Sequence, residues 1–277
     1  MPGRSGIWEP CPPSRKLDSL TQEIEMTAPD QNSEAWERIL EQGDEFKRLR
    51  WLFRWLPSNP RCELCLAPFA GPGGALVKLR GIKRSALNPR FCNDCELLSI
   101  EHPGGAEVEA ALLFADIRGS TAMAEGMAPA EFSRVIDEFY RRAGEVLIAE
   151  GALIEKLIGD EVTAIFVKGF AGPDFVRRTI ETAGKLLATP LAIPIGIGVH
   201  SGPAFIGAVG ESGRLVTISA LGDTVNVAAR LAAAAGPGEA VISEAACRAA
   251  DFDSTHLESR MLELKGKSQP TAVRVLI

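Results

Sequence analysis

The stretch Leu113-Phe114-Ala115-Asp116-Ile117-Arg118-Gly119-Ser120-Thr121 decides how this chain is read. Val108 to Phe114 is a largely apolar run, which predicts a buried strand. Such a strand carries Asp116 to its tip. Gly119 then lets the chain turn closely, and Ser120 caps the helix that follows. The backbone around Arg118, Gly119, Ser120 and Thr121 is therefore a candidate phosphate cradle, because N–H groups at a strand-to-helix turn face an anion.

Working outward, Pro129 starts a helix whose Phe132, Val135, Ile136, Phe139, Ala143, Val146 and Leu147 keep one face. Ala152 to Ile158 and Val162 to Val167 read as strands joined at Gly159-Asp160-Glu161, a hairpin turn. A helix is predicted around Phe175 to Leu187, then a strand over Ala192 to Val199, a turn and a second strand. Asp223 to Ala234 reads as a helix, Ala240 to Ile242 as a strand, with two more strands around Gly266. This order predicts an α+β fold: helices on a mixed sheet with a ferredoxin-like β-α-β-β-α-β core. If the first strand and the hairpin are neighbours, Asp116 and Asp160 converge. A carboxylate pair beside a phosphate cradle suits two-magnesium phosphoryl or nucleotidyl transfer, although spacing alone equally allows two capping groups. Asn226 and Arg230 are four apart on one helix face, which pairs a neutral hydrogen-bonding group with a planar cation. A plain surface ion pair is the alternative for that arginine.

Leu186 to Gly210 carries no Asp, Glu, Lys or Arg and is long enough to span a bilayer. Pro190, Pro194 and Pro203 and five glycines break it, so no membrane association is expected and the chain reads as soluble. With 46% apolar and 24% charged residues among 277, wholesale disorder is excluded, and the length suggests roughly two domains. A net charge of −6 argues against a chain built mainly to wrap nucleic acid. Six cysteines in so long a chain make no disulfide scaffold, which points to a reducing cytoplasm.

The chain divides on this reading into a disordered segment 1–33, an amphipathic helix 34–57, a four-cysteine module 58–98, a linker 99–107 and a domain 108–277. Met26 is a plausible alternative start. The helix holds three of the four tryptophans (Trp36, Trp51, Trp55) and docks on its own domain or on a second copy; a membrane-surface helix is the weaker alternative, because acidic residues interrupt its basic face. Cys62-Glu63-Leu64-Cys65 and Cys92-Asn93-Asp94-Cys95 present four sulfurs from two tight turns, the donor set of one tetrahedral Zn²⁺ per chain, with iron–sulfur ligation as the rival. The basic run between them (Lys78, Arg80, Lys83, Arg84, Arg90) keeps a nucleic-acid role as a lesser alternative. Cys11 and Cys247 have no partners by spacing, and His200 reads as a strand-end structural residue.

Five segments, taken in order, closely resemble the class III adenylyl/guanylyl cyclase catalytic domain: Phe114 to Thr121, Lys156 to Asp160, Gly196 to Gly202, Gly222 to Arg230 and Leu264 to Lys267. The resemblance runs from about Val108 to Ile277 and leaves the preceding residues uncovered. It implies a composite site in a homodimer. Asp116, Asp160 and the carbonyl of Ile117 would hold two Mg²⁺ or Mn²⁺ in one subunit. Lys156, Ser219, Asn226, Arg230 and Lys265 would face ATP from the other. Lys156 and Ser219 take the positions that read the purine, Asn226 the ribose, Arg230 the α-phosphate and Lys265 the terminal phosphates. Ser219 stands where many members carry aspartate, and Pro203 where some place a phosphate-binding arginine.

Overall fold

The computed structural model describes residues 31–56, 59–86, 88–210, 216–267 and 269–277. Most of the expected disordered segment, with Met26 and Cys11, lies outside them, but Gln31 to Ser33 are helical. The predicted 34–57 helix is two helices, α1 (Gln31–Glu37) and α2 (Asp44–Arg54). A π-helical turn, Arg38–Gln42, and left-handed Gly43 separate them. Helices α3 (Gly71–Lys78) and α4 (Asn93–Glu101) complete the region before the first strand.

Strand β1 (Gly104–Ile117) leads through α5 (Ser120–Gly126) and α6 (Pro129–Ala149) to the hairpin β2 (Leu153–Ile158) and β3 (Glu161–Phe166). Short α7 (Lys168–Ala171) and α8 (Phe175–Leu187) precede β4 (Ile195–Gly210) and β5 (Val216–Leu221). Helix α9 (Asp223–Ala234), β6 (Glu239–Ser243), α10 (Glu244–Ala249), β7 (Glu258–Leu262) and β8 (Thr271–Leu276) follow. One sheet runs β2-β3-β1-β4-β6-β8-β7, with β5 also paired to β4. Its first four strands are antiparallel and β4 pairs β6 in parallel, so the sheet is mixed around the expected ferredoxin-like core.

Both faces of β1 are buried, which explains its unbroken apolar run. Ala111, Leu113, Ala115 and Ile117 pack under α6 and α8 through Ile136, Phe139, Leu147, Ile180 and Leu186. Ala106, Val108, Ala110, Leu112 and Phe114 face the other way, where α9 and the N-terminal region supply Ala228, Ala232, Trp36, Leu40, Leu64 and Phe91. Asn32 to Ile277 is accordingly one compact unit, and the four-cysteine region is part of it.

Two expectations fail here. The linker 99–107 does not exist: Ser99 is buried in α4, and β1 already begins at Gly104. Gly105 and Gly207 are register partners, and a Cβ on Gly105 would stand 2.4 Å from the Ile206 carbonyl oxygen. The glycines that read as loop punctuation serve close strand approach instead. The turn expected after Val199 is absent as well, because β4 is continuous for 16 residues. Pro203 falls between the β4 stretches that pair β6 (196–199) and β5 (205–210), where only β1 is a neighbour. His200 therefore lies inside the strand; its ring nitrogen is 2.7 Å from Ser243 Oγ, and burial holds its pKa down at about 4.

Candidate active site and four-cysteine centre

Asp116, next to last in β1, lies opposite Glu161, and the Ile117 N–H donates to the Asp160 carbonyl at 3.1 Å, so strand pairing brings the two aspartates together. Burial first, then hydrogen bonding with Asp160, raise the Asp116 carboxyl to about 6, while Arg118 pulls it down. Burial also raises Glu161. Crowded hard oxygen donors of this kind suit a divalent cation.

The turn that follows differs from expectation in one residue. Arg118 donates its backbone N–H to the Pro194 carbonyl at 2.9 Å and turns its guanidinium inward to Asp116 and to the Ala235 carbonyl. The guanidinium is turned into the fold, with Nε buried and without a hydrogen-bond partner among the described residues, so the candidate cradle contracts to Gly119, Ser120 and Thr121 at the start of α5.

Lys156 and Ser219 sit on β2 and β5, which are not ladder neighbours. Glu155 joins them. Its Oε1 lies 3.0 Å from Lys156 Nζ, accepts the Ser219 hydroxyl, and stands 3.3 Å from the Ala220 N–H. Glu155 is 2% exposed and Ser219 is 4% exposed. Sequence reading passed over Glu155, because an acid beside a lysine on a strand looks like a solvated pair.

Helix α9 lies on β4, which carries Gly198 because a Cβ there would stand 2.2 Å from the Ala232 nitrogen. Thr224 Oγ1 donates to the Pro203 carbonyl at 2.6 Å and fixes the first turn of the helix. Val227, Ala228 and Leu231 are buried, whereas Asn226 is exposed and Arg230 half-buried. The Arg230 guanidinium stands within 3.4 Å of where a Gly266 Cβ would be, beside exposed Lys265, while Lys267 pairs with Asp223. Pro203 is seven strand residues from Gly196, the register partner of Asp116. At ~3.3 Å per residue that is roughly 23 Å. The first turn of α9, with Asn226, is thus fixed about halfway along β4, that distance from the register partner of Asp116, and the helix runs back from there to Gly198.

Cys62, Cys65, Cys92 and Cys95 converge, all buried, with their Sγ atoms within 4.8 Å of one another. Cys65 and Cys92 are 3.7 Å apart, close to the edge of about 3.8 Å implied by four sulfurs at ~2.3 Å from a tetrahedral zinc. The sulfurs compete for negative charge: hydrogen bonding with Cys65 holds Cys62 far down and, reciprocally, Cys65 up. A divalent cation resolves that competition by taking all four as thiolates. Arg50 is buried beside them, lowered to about 10 by burial and raised by Cys65, Cys62 and Cys95. It donates at 2.7 Å to the Leu64 carbonyl and at 2.7 Å to the Ala152 carbonyl, linking the cysteine turn to the residue just before β2. Arg90 does likewise, with Glu63 Oε1 at 2.5 Å, the Glu155 carbonyl at 2.7 Å and Thr217 Oγ1 at 3.4 Å. Arg61 donates to the Phe53 and Leu56 carbonyls. Of the basic run between the cysteine pairs, Arg90 is spent inside the fold in this way.

Among the described residues no helix is long and apolar enough to cross a membrane. The family model described as the adenylate and guanylate cyclase catalytic domain matches residues 106–275. The adenylate cyclase of Anabaena cylindrica is 32% identical over 134 residues, which is 43% of this chain and 26% of that protein. The adenylate cyclase of Mycobacterium tuberculosis (strain ATCC 25618 / H37Rv) is 28% identical over 167 residues, 57% of this chain and 37% of that protein. The match thus spans well under half the length of these curated relatives. Among solved structures, the guanylyl cyclase Cya2 superposes with a TM-score of 0.55 at 24% identity over 62% of this chain and 93% of its own. The adenylyl cyclase CyaB from P. aeruginosa gives 0.55 at 19% identity over 62% and 95%. Those likenesses show the same fold, and the match over 106–275 assigns the chain to the adenylate and guanylate cyclase family.

Proposed function

We propose that this chain is an adenylate cyclase, converting ATP to 3′,5′-cyclic AMP and pyrophosphate in a homodimer with two shared sites. The observation that carries the reading is Lys156, four residues before Asp160, with Ser219 beside it across Glu155. An ammonium donor matches the acceptor N1 of adenine, and guanine presents a donor there. Asp116, Asp160 and the Ile117 carbonyl would hold two Mg²⁺ or Mn²⁺, which would lower the pKa of the ribose 3′-hydroxyl and offset triphosphate charge. The 3′-oxygen attacks the α-phosphorus and pyrophosphate leaves. Arg230 stabilises the charge that develops at the α-phosphate, Asn226 orients the ribose, and Lys265 with the Gly119 to Thr121 turn holds the remaining phosphates. Asn226 serves the partner's site in this reading, which is supported by the first turn of α9 being fixed at Pro203, seven residues along β4 from the register partner of Asp116. The four cysteines hold one Zn²⁺ that joins the N-terminal region to the sheet, and the protein works in the cytoplasm.

The test is product identity. Purified protein given ATP or GTP with Mg²⁺ or Mn²⁺ yields cyclic AMP in preference to cyclic GMP by mass spectrometry. Mixing Asp116→Ala chains with Asn226→Ala chains then restores activity, since heterodimers keep one intact site. A cyclic GMP product, or no recovery on mixing, overturns the reading.

A further inference from the structure

We propose that Glu155 is a specificity-determining positioning residue: its carboxylate takes the proton of the Ser219 hydroxyl as a hydrogen bond, leaving Ser219 only an acceptor toward the purine. A lone serine hydroxyl discriminates poorly, because it donates to the O6 of guanine as readily as it accepts from the N6 amino group of adenine. Here its direction is set. The Ala220 N–H and the Lys156 ammonium both converge on Glu155 Oε1, at 3.3 Å and 3.0 Å, and neither group can accept. Oε1 is therefore an acceptor, and the serine oxygen beside it must be the donor. Its lone pairs remain for a ligand that donates, which adenine does through its 6-amino group, whereas guanine presents the acceptor O6 at that position. Glu155 and Ser219 together present what a single carboxylate would present, and the same Oε1 steadies Lys156.

Two further observations favour this role over simple packing. Glu155 is 2% exposed, and its other oxygen, Oε2, has no hydrogen-bond partner among the described residues. A residue that only filled space would not carry such a cost. The backbone of Glu155 is also held from outside the sheet, where Arg90 donates to its carbonyl at 2.7 Å and, weakly, to Thr217 on β5. The two strands that carry the purine-reading pair are braced at this residue.

The inference rests on the adenylate reading. The experiment measures kcat/KM for ATP and for GTP in wild type, Glu155→Met, Glu155→Gln and Ser219→Ala. Glu155→Met frees the hydroxyl to donate, so the ATP-to-GTP ratio falls at least ~10-fold, the loss expected when one directed hydrogen bond is undone. Glu155→Gln keeps an amide oxygen for the serine proton and retains the preference within about threefold. Ser219→Ala lowers the ratio as Glu155→Met does, and adding Glu155→Met to it lowers the ratio no further. A folded Glu155→Met protein with the wild-type ratio overturns the inference, as does a Glu155→Gln protein that loses the preference, which would make the charge and not the acceptor responsible. Should Glu155→Met fail to fold, a Ser219→Ala protein that keeps the ratio overturns it equally. A wild-type enzyme that prefers GTP instead sinks the adenylate reading itself, before any variant is made.

Discussion

The two faces of the central sheet are covered by different means. On one, α6 and α8 lie in sequence between the strands they cover, and their apolar stripes bury Ala111, Leu113, Ala115 and Ile117. On the other, residues before β1 do much of the work, through Trp36, Leu40, Leu64 and Phe91 and two buried or half-buried arginines that bond to strand carbonyls. The first face is a continuous core with no need of an ion. The second is assembled in part from short turns on which four sulfurs converge, and a metal ion held there would fix those turns. Both faces are buried by apolar side chains, on one side from regular helices and on the other in good part from turns around four convergent cysteines.

The largest expected effect separates catalysis from folding. Asp160→Ala removes one of the two paired carboxylates from an exposed hairpin turn, so activity falls at least ~10²-fold to 10³-fold while the thermal midpoint moves little. Parallel loss of stability, seen in a calorimetric scan, would mean that the turn is part of the core after all. Next, Cys65→Ser takes away a metal ligand on the other face. Bound zinc measured by atomic absorption falls from one per chain to near none, and the midpoint drops on the order of 10 °C, the equivalent of ~3–4 kcal/mol for a unit of this size. An unchanged midpoint would make the second face as self-sufficient as the first.

The smallest effect is a pH dependence confined to the first comparison. Asp116 has a folded-state pKa near 6, above the unfolded value of 3.8, so its contribution to the stability of the metal-free protein grows as pH falls through 6 and is lost as pH rises. NMR titration of Asp116 should give a midpoint near 6, moving toward acid in Asp160→Asn because hydrogen bonding and charge from Asp160 hold it up. A midpoint near 4 in wild type would show that the aspartates are not crowded.

Much of this was legible because it is local. The apolar run ending at Asp116, the hairpin turn at Gly159-Asp160 and the i, i+4 pair Asn226 and Arg230 each follow from spacing, and the strand order then brought the aspartates together. The four cysteines were legible as paired spacings. What escaped depends on long-range partners. Glu155, Arg50 and Arg90 look like solvated charges until β5 or a cysteine turn is placed against them. The glycines of the supposed linker looked flexible until β4 was seen to run beside them. Arg118 looked like a phosphate ligand because its inward hydrogen bonds reach residues far along the chain, Pro194 and Ala235.

The shared core has a practical corollary for anyone trimming the gene. A catalytic fragment cut at the start of β1 would strip Ile165, Val167, Ile206 and Ile218 of their cover and hand solvent a greasy sheet face. Such a fragment would clump or recruit whatever apolar surface is nearest, and its idleness in a tube would say nothing about the competence of the aspartates.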